Sequence, residues 1–135
     1  MEGGAPVLVS LAILVLFAPA DGHETVLKTT LSAVVGADGP TIRAEGFLAT
    51  PAGHSFGELR LEVGTLKDGA FAPVKPKVEK ILTIADFSRG EYSHTFAGKL
   101  AAGKYGVRAT ATGHRPGLFV ILRWSKTATP TGEVE

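Results

Sequence analysis

The sequence predicts an all-β protein, a seven-stranded Greek-key β-sandwich that follows an N-terminal hydrophobic segment. Three observations carry this expectation. Apolar and polar residues alternate with period two along most of the chain, the pattern of strands with one buried face. Turn clusters rich in Gly, Pro and Asp separate these runs at intervals of about 8–12 residues, as sandwiches require. The composition, with 17 Gly and a single Met, suits a turn-rich sheet protein better than a helical bundle.

A chain of 135 residues provides one domain and an N-terminal extra. Residues 6–20 are a hydrophobic run ending in Ala18-Pro19-Ala20, which fits a secretory signal with a small-x-small cleavage site. As a helix the run reaches about 22 Å, short of the ~30 Å hydrocarbon core of a bilayer. Residues 1–20 are therefore read as a signal peptide, with an uncleaved hydrophobic anchor as the alternative. No Lys or Arg precedes Lys28, and Glu2 is acidic, which departs from the usual basic start of a signal. Residues 21–126 are expected to form the sandwich and residues 127–135 a flexible tail. The expected location is extracytoplasmic, periplasmic or secreted, or membrane-anchored if the segment is retained.

The strands follow in order. Residues 25–35 form the first and end at the turn cluster 36–40, Gly-Ala-Asp-Gly-Pro. Residues 41–49 form the second, with Ile42, Ala44, Gly46 and Leu48 on one face and Arg43 and Glu45 on the other. The third, residues 57–66, sets Leu59, Leu61 and Val63 against Glu58, Arg60 and Glu62. Lys67-Asp68-Gly69 is a hairpin-type turn, after which residues 72–77 cross over in extended form because each Pro disfavours helix at the residue before it. The fourth strand, residues 78–85, reads as an edge guarded by Lys75, Lys77 and Lys80. The fifth covers residues 91–100.

The sixth strand starts from the most informative stretch, L-x-x-G-x-Y-x-V at Leu100, Gly103, Tyr105 and Val107. Leu100 closes one strand facing inward, Gly103 turns with φ > 0, and Tyr105 opens the next strand with its hydroxyl bonded back to the backbone upstream. Tyr105, Val107, Ala109 and Ala111 then share one face. In these residues the chain resembles the immunoglobulin-like and fibronectin type III β-sandwich modules, whose E–F corner carries this tyrosine pattern. The resemblance is specific for about sixteen residues and architectural elsewhere. With no Cys in the chain, an antibody-type disulfide is excluded, as are thiolate metal sites and a Cys nucleophile.

The seventh strand, residues 118–124, is apolar on both faces at Leu118-Phe119-Val120-Ile121-Leu122. Leu118, Val120, Leu122 and Trp124 can serve the core, leaving Phe119 and Ile121 to be covered by a neighbouring loop, by the tail, or by a partner. Phe119 and Ile121 are thus the candidate interface.

No G-x-S-x-G, Walker, H-E-x-x-H or dinucleotide-binding pattern is present, and no nucleophile–base pair stands out, so no enzyme activity is expected. The balance of 14 basic and 13 acidic side chains, read as evenly spread, gives no basic face for nucleic acid. The four histidines are the remaining candidates for chemistry. In such a sandwich the chain start and the second–third, fourth–fifth and sixth–seventh loops share one pole, which gathers His23, His54, His94 and His114 toward one end. Cleavage after Ala20 leaves Asp21-Gly22-His23, an amine-x-x-His arrangement that can wrap Cu(II). Cleavage after Gly22 makes the amine and imidazole of His23 a chelate. Such nitrogen donors suit Cu(II), and in this the chain is similar to small periplasmic copper-binding sandwiches. His94, between Tyr92 and Phe96 on one face, reads more readily as a partly buried packing histidine than as a ligand.

The expected function is an exported, non-catalytic module for protein binding or assembly, joined to another protein or to itself through the seventh strand and requiring no cofactor. The alternatives are a periplasmic copper-binding protein with an N-terminal His site, and an accessory subunit of a membrane complex. Membrane contact is expected only through the N-terminal segment if it is uncleaved.

Overall fold

A computed structural model describes residues 24–135, and turn chemistry divides them into nine strands. These are β1 (Val26–Gly36), β2 (Gly39–Ala49), β3 (Ser55–Lys67), β4 (Ala70–Pro73), β5 (Glu79–Leu82), β6 (Glu91–Thr95), β7 (Gly103–Pro116), β8 (Ile121–Ala128) and β9 (Thr131–Val134). A single 3-10 turn, Ile84–Asp86, follows β5. The Asp86 carboxylate accepts from the Thr83 backbone N–H at 2.8 Å and closes this turn at its start.

All pairings are antiparallel. One sheet has the order β1-β2-β6. In the other, β3 and β7 pair along ten residues at the centre, from Ser55↔His114 to Thr65↔Tyr105, with a bulge between Phe56 and Glu58. Both flanks of this pair are broken strands. On the β3 side, β4 pairs with residues 64–67 and β5 with residues 59–62. On the β7 side, β8 pairs with residues 109–116 and β9 with residues 103–106. Backbone bonds bridge each break: Val74 N–H to Val63 O at 3.1 Å on one side, Val107 N–H to Pro130 O at 3.1 Å on the other.

Strand alternation places the core. Ile42 and Ala44 on β2, Leu59, Leu61 and Val63 on β3, and Val107, Ala109 and Ala111 on β7 are wholly inaccessible and form one cluster between the two sheets. Each large aliphatic among them contributes about 1.5–3 kcal/mol of burial. Tyr92 and Phe96 close the cluster from the β6 side, and Leu82 and Val134 from the outer flanks.

Nine strands replace the expected seven because pairing, not alternation, decides where an edge strand exists. Ala70–Pro73, expected within a turn and crossover, hydrogen-bonds to the end of β3 as β4. Residues 131–134, expected in a flexible tail, pair with the start of β7 as β9, and Val134 is buried. The strand expected over residues 91–100, seen here as β6, is shorter than expected. It ends at Thr95, and single bonds from Phe96 N–H to Ile42 O and Leu100 N–H to Pro40 O carry the chain onward to the corner. There Gly103 has φ 153, Tyr105 is buried, and its hydroxyl donates to Ala101 O at 2.7 Å. Leu100 packs against the core cluster.

Candidate functional site

Antiparallel pairing brings the described chain start, the 50–54 loop, the 83–90 connection and the β7–β8 turn to one end of the molecule. Leu48 N–H donates to Gly90 O at 2.8 Å, and the Phe56 and Phe87 rings meet edge-on at 5.1 Å, joining two of these connections. Glu24, Thr25, His54, Arg115 and Trp124 line a shared cleft there.

The β7–β8 turn is the most exposed apolar feature at this end. β8 begins at Ile121, not at residue 118, and residues 117–120 form the turn, closed by Gly117 N–H to Val120 O at 2.8 Å. Leu118 and Val120, expected to serve the core, are 83% and 57% exposed, and Phe119 and Ile121 are 95% and 76% exposed. Neither cover expected from within the chain is present among the described residues: the C-terminal residues are engaged as β9 against the far end of β7. Phe119 adopts φ 67, a left-handed conformation that a bulky side chain rarely takes. Only Trp124 keeps the expected inward role. It sits opposite Gly113, and its indole N–H donates to Ser55 O at 3.0 Å.

The three described histidines do not come together. His23 lies outside the described residues. His54 is half-buried in the cleft; its backbone N–H bonds Pro51 O at 3.1 Å, and its Nδ1 is buried without a hydrogen-bond partner among the described residues. His114 pairs with Arg123 and lies directly across from Ser55, so alternation turns its side chain to the opposite face from His54. His94 is the fourth of five residues in β6 and meets the Phe96 ring edge-on at 4.8 Å. Burial, with the nearby Lys80 ammonium, holds its imidazole below the ordinary value, and Asp86 opposes this. Among the described residues no three His, Asp or Glu side chains converge as metal ligands.

Reading by alternation missed a polar cluster on the outer face of the larger sheet. Glu62 is buried for a carboxylate; Arg108, directly opposite it on β7, donates to it at 2.7 Å, and Lys77 lies 3.8 Å away. The Arg108 guanidinium also stacks over the Phe71 ring at 4.8 Å. Only the β3–β7 register could have revealed the pair. A second missed signal was legible: no Asp or Glu occurs between Glu91 and Glu133, so the charges are not evenly spread.

No protein-family model, no curated protein and no solved structure matches the chain.

Proposed function

We propose that this chain is an exported, non-catalytic β-sandwich module whose work is binding or assembly through the β7–β8 hairpin. The observation that carries this is the run of five consecutive apolar residues, 118–122, left exposed at one end of the molecule. Apolar exposure this concentrated marks contact surfaces. The tip conformation supports it. A turn position at φ 67 would ordinarily hold Gly or Asn, and Phe stands there despite the steric cost.

The finer fold reading is a Greek-key module of the immunoglobulin and fibronectin III kind. Its support is the sheet order, β1-β2-β6 against a sheet built on β7 and β3, with the broken flanks counted as one strand each. The Tyr105 hydroxyl bond to Ala101 O supports it further.

The test compares wild type with a Phe119→Ser, Ile121→Ser double variant for distribution between envelope-bound or assembled material and free monomer. The variant is expected to shift toward free monomer with its far-ultraviolet spectrum intact. An unchanged distribution defeats the proposal.

One observation favours copper binding as the second reading: the Nδ1 of His54, which has no hydrogen-bond partner among the described residues, lies in the cleft that Glu24, the residue after His23, also lines. Cu(II) titration of wild type, His23→Ala and His54→Ala tests it. Equal, weak binding by all three would reject it.

A further inference from the structure

The β7–β8 hairpin is apolar on both faces at its tip and cationic on both faces at its root. Facing residues of a ribbon share a face, so the pairs Arg115↔Leu122 and Ala111↔Lys126 place Arg115 and Lys126 on one side. The pair His114↔Arg123 places Arg123 on the other. Among the described residues none of these three cations is in an ion pair. The acids that share clefts with them are Glu24, Glu58 and Glu62, the last already held by Arg108, and all three lie outside the acid-free stretch that holds the hairpin.

This arrangement decides between kinds of partner. A protein groove receives one face of a ribbon and leaves the other in water. Here Leu118, Phe119 and Val120 are exposed around the turn, and Ile121 is exposed where β8 begins. A surrounding medium can take all four at once. The tip extends about 7–10 Å past the Arg115–Leu122 pair at the strand rise per residue. That matches the ~5–10 Å depth of the boundary between lipid headgroups and acyl chains. The described chain also begins at this end. Glu24 lines the Arg115 cleft, and three residues, 21–23, separate it in sequence from the apolar run 6–20.

Resting on the reading of this hairpin as the contact element, we infer that its tip is a membrane finger. Residues 118–121 enter the interfacial layer of an anionic bilayer, and Arg115, Arg123 and Lys126 meet headgroup phosphates at its root. Insertion is shallow, because the turn backbone satisfies only part of its hydrogen bonding internally, through Gly117 N–H to Val120 O. The left-handed Phe119 projects the largest apolar side chain of the turn at its extremity, which explains why the position is not Gly or Asn.

The chain has no Cys, so one introduced cysteine carries a polarity-sensitive fluorophore uniquely. The full chain is labelled at Leu118→Cys, or at Lys67→Cys on the opposite end as a reference. It is mixed with phosphatidylcholine vesicles with and without phosphatidylserine. The expected result is an apolar signal at 118 only with phosphatidylserine vesicles, and none at 67. Adding Phe119→Asn and Ile121→Ser lowers partitioning about ten- to a hundredfold. Arg115→Gln or Arg123→Gln each lowers it about fivefold.

Three results overturn the inference. A signal at 118 that stays aqueous on vesicle-bound protein rejects the finger, and the distribution of the Phe119→Ser, Ile121→Ser variant then decides separately whether the hairpin contacts a protein. A signal apolar without vesicles that strengthens with protein concentration assigns the tip to a second copy, which keeps the contact reading and rejects lipid. A signal apolar without vesicles at every concentration assigns the cover to the rest of the same chain.

Discussion

The Trp124 indole lies against Gly113 so closely that a β-carbon at position 113 would sit 2.6 Å from the ring and 1.9 Å from Ser55 O. The same indole donates its N–H to that Ser55 carbonyl. Gly113, Trp124 and Ser55 thus lock β3, β7 and β8 together at the root of the hairpin. Gly113→Ala is expected to cost about 1–3 kcal/mol or more, because backbone as well as ring must give way. Trp124 is the only Trp, so its emission should shift red with the loss. A variant with wild-type denaturant midpoint and emission would contradict this packing.

At the tip the expectation reverses. Phe119 is 95% exposed and its φ of 67 is unfavourable for an aromatic residue. Phe119→Asn, a residue that tolerates this conformation, should raise stability by about 0.5–1 kcal/mol in chemical denaturation. Ile121→Ser should stay within about 0.5 kcal/mol of wild type. Loss of stability in either would mean that the tip packs against the rest of the chain.

Removing the Tyr105 hydroxyl isolates the corner. Tyr105→Phe keeps the buried ring and deletes the bond to Ala101 O, which should cost about 1 kcal/mol. Tyr105→Ala also empties the core position and should cost about 3–5 kcal/mol. Urea midpoints measure both, and equal effects would mean that the ring adds nothing beyond the hydroxyl.

The Glu62–Arg108 pair is buried on the carboxylate side and open on the guanidinium side. Discounting for that exposure, Arg108→Ala should cost about 1–2 kcal/mol, part of it from the lost stacking on Phe71. Arg108→Lys should recover less than half, since Lys keeps the charge but not the planar contact. Full recovery by Lys would show that charge alone matters there.

His94 predicts a pH dependence. Burial and Lys80 lower its affinity for protons in the fold, so near the ordinary imidazole value of about 6.5 the unfolded chain binds more protons. Stability contributed by the neutral ring is full above that value and falls as pH drops through it. His94→Gln should flatten the stability profile between neutral and mildly acidic pH, even if it weakens packing on Phe96 overall. An identical slope in the variant would place the titrating group elsewhere.

The parts of the fold that could be read from the chain are those where alternation has one phase. Ile42, Leu59, Leu61, Val63, Val107 and Ala109 face inward as their spacing requires. Alternation said nothing about β4 and β9, which exist only because β3 and β7 offer them a free backbone edge. Residues 118–122 misled for a related reason. When both faces are apolar, no period fixes the register, and the turn moved to residues 117–120. His94 keeps its expected place, three residues past the start of β6, but it pairs with Ala44 midway along β2 and so stands back from the loops at the pole.

The two interruptions that flank β3 and β7 have a consequence for growth. Pro73 and Pro76 fall at the gap between β4 and β5, and Pro130 at the gap between β8 and β9, so neither border offers an unbroken row of amide donors. A donated strand or a stacking neighbour therefore finds no continuous template on the larger sheet. Lateral polymerisation of this protein would have to proceed along the smaller sheet, whose borders are β1, eleven residues without a proline, and the shorter β6, also proline-free.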